Sequence, residues 1–223
     1  MALITIGDLK LYLSITTTSE DNYLMLLRTG TEAAFKRMVG WEIEATDYTE
    51  YYDGNWTPYI ALRQPPVNSI ASVYLDPNGY GGQGSGAFPS TTLLVSGTDY
   101  YFQKDGPNGS YSASGLLVKI GSIWPGTFQR MRGELAAKRV RGQGNIKVAY
   151  NGGYNPVPAD VKQAIFEACK QLRAARKLPG IPGAEGLSEY NYSILAPGQL
   201  EMEMLKIGSM AQIVATYRKL KIG

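Results

Sequence analysis

Any chemistry in this chain would have to be built without histidine, because the sequence contains none. That removes Ser-His and Cys-His nucleophilic sites and every histidine metal site at once. Carboxylates are the remaining acid/base groups, and they gather at Glu42, Glu44, Asp47, Glu50 and Asp53. Two of them facing each other would suit glycoside hydrolysis. Their local setting argues for structure instead: Glu50 falls between strand tyrosines, and Asp53 opens an Asp-Gly turn. Gly79-Tyr-Gly-Gly-Gln-Gly84 has the G-x-G-x-x-G spacing of a dinucleotide site. No helix opens after it, so no helix N-terminus is available to hold a pyrophosphate, and it reads as a hairpin loop. The single cysteine, Cys169, cannot form an internal disulfide and reads as a small buried hydrophobe on a helix. Neither a cofactor nor a metal is expected.

The strongest charge anomaly lies elsewhere. Between Arg130 and Lys147 the cations are Arg130, Arg132, Lys138, Arg139, Arg141 and Lys147, against Glu134 alone. The segment carries +5 within a chain of net charge +3, so the remainder is −2. These residues sit largely inside a long connection, 121–145, between two predicted strands, far longer than an ordinary hairpin loop. The functional reading is a basic arm that meets DNA phosphates or an acidic partner surface. The structural reading is a solvated loop with a short helical turn through 134–140.

Elements must position these groups, and the pattern for them is legible. Thr5 has the look of an N-cap, with Asp8 three residues on and Ile4 and Leu9 placed as a staple, giving a helix over 5–13. Thr18 and Asp21 repeat the capping pattern before a helix over 19–39, with Tyr23, Leu27, Ala34, Phe35 and Met38 near helical spacing and Gly40 as the stop. Between 48 and 150 the signals are strand-like: 48–52, 58–62, 70–76, 93–95, 100–102, 116–120 and 146–150. A helix over 158–178 puts Val161, Ala164, Ile165, Ala168 and Leu172 on one stripe. A Pro/Gly-rich linker, 179–199, follows. Beyond it Leu200, Met204, Ile207, Ala211 and Val214 form a second apolar stripe ending in a basic tail with Tyr217, Arg218 and Lys219. A helix beyond a linker wants another surface, and its methionines suit an adaptable one, so docking to another subunit is favoured over folding back.

At 223 residues the chain is long enough for one domain with appendages and a real core. Sixteen tyrosines against five phenylalanines suit half-buried, interface-like surfaces. The N-terminus lacks the basic and apolar regions of a signal peptide, and no run reaches membrane-span length, so folding in the cytoplasm is expected. The expected fold class is α+β. A helical body, made of two N-terminal helices and the helix after the last strand, holds an inserted antiparallel β region, 48–150. The expected organisation is 1–178, a linker 179–199, and a docking helix and tail 200–223.

Several motifs in order carry a resemblance: Ile4 to Leu13, Tyr48-Thr-Glu-Tyr-Tyr-Asp-Gly54, Pro66 to Ile70, Trp124-Pro125, and Gly153 to Ala164 with its Gly-Tyr, Val-Pro and Asp. Together they resemble the head–tail connector (adaptor) proteins of long-tailed bacteriophages, over roughly residues 3 to 178. The resemblance implies a structural, non-enzymatic virion protein made in the host cytoplasm and located at the head–tail interface. It implies a homo-oligomeric ring, typically of twelve subunits, under the portal, extending the DNA channel, with a stopper or tail protein below. It implies portal docking by the C-terminal segment, taken here as Leu200 to Ile222. In that family the chain usually passes more directly from Trp-Pro to the last strand, so the basic arm stands out as an addition that the family does not explain; non-specific contact with packaged DNA and contact with an acidic partner surface both stay open for it. Two other readings are a β-rich carbohydrate- or surface-binding virion module and, less well supported, a carboxylate hydrolase.

Overall fold

Local signals place the helices. In the computed structural model, which describes residues 2–76, 88–129, 138–140, 142–176 and 199–218, Thr5 caps α1 (Ile6–Tyr12), its hydroxyl accepting the Asp8 N–H at 3.0 Å. Ile4 and Leu9 are buried on either side of that cap, as a staple requires. α2 (Asp21–Val39) starts differently from the expected repeat of the cap. Glu20 is its N-cap and gives no side-chain cap bond; Thr18 contributes only its carbonyl, accepting the Asp21 N–H at 3.1 Å. The Asp21 carboxylate is held by Lys10 at 2.7 Å instead. Gly40 ends the helix at φ 83°, a left-handed conformation that glycine adopts without strain.

The chain forms two units, residues 1–44 with 155–223, and residues 45–154. The fold class is α+β, with the β unit inserted into the helical one. In the helical unit, α2 packs on α3 (Ala159–Arg176). Leu24, Leu27, Thr31, Ala34, Phe35 and Val39 face Val161, Ala164, Ile165, Ala168 and Cys169 in its core. Tyr23, Met38 and Leu172, expected on these stripes, are not among the buried residues. The Cys169 thiol is buried and donates to the Thr31 hydroxyl at 3.7 Å; burial pushes its pKa up to about 11, so it is an inert packing group. Glu32, also buried, accepts the Ile4 N–H at 3.0 Å, and burial raises its carboxyl above the usual range.

The C-terminal stripe is two helices rather than one: α4 (Gln199–Leu205) and α5 (Met210–Tyr217), broken at Gly208 and Ser209. Both pack on α2, and α5 also on α3. No helix among the described residues is long and apolar enough to cross a membrane.

In the β unit, β1 (Thr46–Tyr52), β8 (Ile146–Gly152) and β3 (Val67–Leu75) form one antiparallel sheet in the order β1-β8-β3. β8 is central, and its alternation is complete: Ile146, Val148 and Tyr150 are buried while Lys147, Ala149 and Asn151 are half-exposed. Pairing Thr46 with Gly152 brings the first and last strands of the insert side by side, and the Ala45 N–H donates to the Tyr154 carbonyl at 3.1 Å just beyond. A second sheet has the order β2-β5-β4, from β2 (Tyr59–Ala61), β5 (Leu116–Lys119) and β4 (Tyr100–Phe102). Tyr52, Ile60, Leu62, Val67, Val73, Tyr100, Leu117 and Trp124 join the β8 residues in one core.

Two expected elements differ. Residues 93–95 are not a strand: a 3₁₀ turn at Ser90–Thr92 leads to an isolated bridge between Leu93 and Tyr74. The helical turn expected through 134–140 is replaced at its end by a strand, β7 (Lys138–Val140), paired antiparallel with β6 (Thr127–Gln129). The G-x-G-x-x-G stretch 79–84, the bulk of the linker 179–199, and Arg130, Arg132, Arg141 and Lys219 lie outside the described residues.

Candidate functional site: the root of the basic arm

At the foot of the basic segment two short strands pair: β6, which follows Trp124-Pro125-Gly126, and β7, which lies within the segment. In that ribbon Phe128 lies opposite Arg139 and Gln129 opposite Lys138. The ribbon's root is built from residues distant in sequence. Asp53 and Gly54, directly after β1, meet both limbs. The Gly142 N–H of the returning limb donates to the Gly54 carbonyl at 2.8 Å. The Gly144 N–H donates to the Asp53 carboxylate at 2.7 Å. Trp124, fully buried, anchors the outgoing limb: its N–H donates to the Thr57 carbonyl at 2.8 Å, and its own carbonyl accepts the Trp56 N–H at 2.9 Å. Lys119 lies over the Trp124 ring at 5.7 Å, a cation–π distance.

At the centre is Asn145, fully buried. Its Oδ1 accepts the Gly54 N–H at 2.8 Å, and its Nδ2 donates to the Pro125 carbonyl at 2.7 Å. Its backbone carbonyl accepts the Asp76 N–H at 2.8 Å. One amide thus joins the turn, the outgoing limb and the end of β3. The packing is tight enough to demand glycine twice. A Cβ on Gly54 would stand 1.9 Å from the Pro125 carbonyl oxygen, and one on Gly142 would stand 2.0 Å from Asn145 Oδ1. Sequence reasoning misses Asn145, because its partners lie 91 and 20 positions away. The one signal is an amide followed directly by the central strand's apolar alternation.

Four of the five carboxylates of the 42–53 stretch are engaged separately. Glu42 pairs with Lys36 at 2.5 Å, and Asp47 accepts from Asn151 at 2.7 Å. Glu50 accepts the phenol of Tyr150 at 2.7 Å and that of Tyr52 as well. Tyr52 also accepts the Arg63 N–H at 2.9 Å, with the Arg63 guanidinium over its ring at 4.6 Å. Burial first, and then bonding within the cluster, holds both phenols protonated far above the ordinary tyrosine range. A carboxylate holding two phenols is a cross-strand clasp inside the sheet core, and Asp53 serves the arm root. Among the described residues no group of His, Cys, Asp or Glu is arranged to hold a metal ion.

The C-terminal residues read as a docking stripe are placed otherwise. Leu200, Met204, Ile207 and Val214 are buried against their own helical unit, with Met210 beside them, while Ala211 and Arg218 are exposed. Polar contacts secure the pair of helices. Arg37 meets Glu201 at 2.7 Å, the Trp41 indole donates to the Tyr217 carbonyl at 2.7 Å, and the Tyr217 phenol donates to the Asp160 carboxylate at 3.0 Å. The stripe therefore folds back in this structure, because α2 and α3 already present an apolar surface it can cover.

No protein-family model matches this chain, and no curated protein matches it. Solved structures share its fold, two of them from gene transfer agent particles. One is from the neck of an empty gene transfer agent particle computed with C6 symmetry, the other from the virion of the native gene transfer agent particle. Each is 12% identical, with a TM-score of 0.50, over 99% of this chain and 92% of the other. At that identity the likeness is one of fold.

Proposed function

We propose that this chain is a structural subunit of the neck of a phage-like particle: a head–tail connector that rings the exit beneath the portal, extends the DNA channel and offers a face to the stopper or tail. The observation that carries this reading is the fold shared, over nearly the whole chain, with a protein of a particle neck. A ring closed by head-to-tail contacts needs two different surfaces on each subunit. Both units supply exposed apolar side chains: Leu11, Met25 and Leu26 in the helical unit, and Tyr59, Tyr101 and Ile120 in the β unit. Tyr59 and Tyr101 lie on one row, each paired with Val118 between them. The basic arm is the element that would meet channel DNA, through Arg130, Arg132, Lys138, Arg139 and Arg141. Portal docking would then use the outward side of the C-terminal helices (Met202, Leu205, Ala211, Arg218) and the tail from Lys219 onward, since the inner stripe is occupied.

Electron microscopy of the purified chain, alone and mixed with its portal, tests the proposal. Rings stacked under the portal are expected. A chain that stays monomeric with the portal present, and instead binds a glycan through Tyr59 and Tyr101, would replace this reading with that of a surface-binding module. Replacing Arg139 and Arg141 by Glu is expected to lower DNA retention and infectivity; full retention would remove DNA from the arm's role.

A further inference from the structure

We infer that Asn108 is a self-modification site: its side-chain amide condenses with the main-chain nitrogen of Gly109, and water then opens the ring to aspartate or isoaspartate. The inference does not depend on the proposed function. It comes from a reactive dipeptide that the chain places in two settings, of which the fold protects one.

Asn-Gly is the pair in which this condensation meets least obstruction, because glycine puts no Cβ beside the attacking nitrogen. Among the described residues it occurs at Asn108-Gly109 and at Asn151-Gly152. Asn151 lies in the central strand β8. Its Nδ2 donates to the Asp47 carboxylate at 2.7 Å, and its Oδ1 accepts from the Asn68 amide at 2.9 Å. Gly152 is buried and lies between Thr46 of β1 and Val67 of β3. Neither the amide carbon nor the glycine nitrogen can turn toward the other until the sheet opens.

Asn108 differs at each point. It is exposed, in a 3₁₀ turn at Pro107–Gly109 between β4 and β5. No hydrogen bond among the described residues holds its side chain. Its backbone stands at φ 60° and ψ 16°, a conformation that asparagine visits and most residues avoid. The Gly109 N–H is held by one bond, to the Gly106 carbonyl at 3.0 Å. Breaking it frees the peptide to rotate, and rotation carries the nitrogen to Cγ. The base of the loop stays in place meanwhile. The Asp105 carboxylate accepts the Ala113 N–H at 2.7 Å, and Ser112 and Val67 exchange two backbone bonds of 2.8 Å. The reactive turn is a movable tip on a fixed base.

The chemistry needs only water and a solvent base. The Gly109 nitrogen gives up its proton and bonds to Cγ; the bond from Cγ to the side-chain nitrogen breaks, and ammonia leaves. Water then adds to one carbonyl of the succinimide. Opening on the Cγ side gives aspartate, and opening on the main-chain side gives isoaspartate, with the main chain longer by one carbon. Nothing is oxidised or reduced. Either product sets a new carboxylate three residues from Asp105. Isoaspartate also lengthens the turn that the Gly106 N–H closes onto the Tyr111 carbonyl at 2.9 Å.

The test ages the full chain at neutral and mildly alkaline pH, folded and in urea, and maps tryptic peptides by mass. Peptide 105–119 has Asn108 as its one asparagine, and peptide 148–162 carries Asn151. Asn155, also in the second peptide, precedes proline, which has no N–H to attack with. In the folded chain, peptide 105–119 is expected to gain the mass difference between OH and NH2 at least about tenfold faster than 148–162, because only the latter waits for the sheet to open. In urea the two rates should converge, and both should rise with pH. Fragmentation should place aspartate and isoaspartate at position 108. Asn108→Gln should abolish the gain in 105–119. Hydrogen exchange at Gly106 and Gly109 should speed up in the isoaspartate form and stay unchanged in Asn108→Asp, which has the charge without the extra carbon. A folded chain in which Asn108 is as slow as Asn151, while both react in urea, would overturn the inference. So would a gain in peptide 105–119 that persists in Asn108→Gln.

Discussion

Met204 decides whether the C-terminal helices belong to the folded chain or wait for another protein. Its side chain is fully buried between α4 and the helical core, with Leu200, Ile207 and Met210 also buried along the same stripe. Met204→Ala removes the thioether and its flanking carbons from that contact. Substitutions of this class cost about 2–5 kcal/mol, depending on how far the surroundings collapse. Here a neighbouring methionine is adaptable, which favours partial collapse and the lower half of the range, about 2–3 kcal/mol. For a chain of this size about 2–4 °C of Tm accompanies each kcal/mol, so a drop of about 4–12 °C is expected. The assay is urea unfolding followed by far-UV circular dichroism and by fluorescence. Trp41, the tryptophan of the helical unit, donates to the Tyr217 carbonyl and so reports on the docked segment. The control is Met202→Ala, a residue of the same helix that is 64% exposed, expected to stay within about 0.5 kcal/mol of wild type. If both variants proved equally harmless, the segment would be detached in the isolated protein. Its apolar stripe would then be free for a partner, and the intramolecular packing argued above would be wrong.

Other outcomes follow from single positions. Gly30 lies inside α2 with no atom within 4 Å of where a Cβ would stand, so Gly30→Ala should raise stability by about 0.5–1 kcal/mol, seen as a higher urea midpoint at unchanged slope. Asp105 is exposed, but its carboxylate is held by the Ser114 hydroxyl and by the backbone N–H groups of Ala113 and Ser114, at 2.7 and 3.2 Å. Those bonds lower its pKa from the ordinary 3.8 to about 2. A depressed folded-state pKa means that the unfolded chain binds the proton first. The stabilisation is therefore complete above about pH 4 and is lost as pH falls through about 2. A Tm-against-pH series should show Asp105→Asn with a flatter slope between those limits; parallel curves would show that the loop does not depend on the charge.

Much of the fold was legible because its causes are local. Thr5, Gly40 and the alternation of 146–150 each act over a few residues, and each stands where residue type and spacing put it. Thr18 failed as a cap because Glu20 and a backbone turn took over that helix start, with Lys10 drawing Asp21 away. The 93–95 stretch has strand-like composition but only one bridge, to Tyr74, and composition says nothing about whether a neighbouring edge is in reach. The arm was legible as charge and length, and its root was not. The Asp53-Gly54 pair reads as a hairpin turn from its neighbours alone, yet β1 and β2, on either side of it, belong to different sheets.

By itself, the sequence determined the periodicities, the caps, the absence of histidine chemistry and the presence of one strongly basic segment, since these depend only on residue type and near neighbours. Tertiary structure decided what each apolar face covers and where the arm is held. The C-terminal stripe had to be buried somewhere, and only the surface of α2 and α3 made that place its own unit. Asn145 needed a donor and an acceptor that chain neighbours could not offer, and folding brought both to it from distant positions.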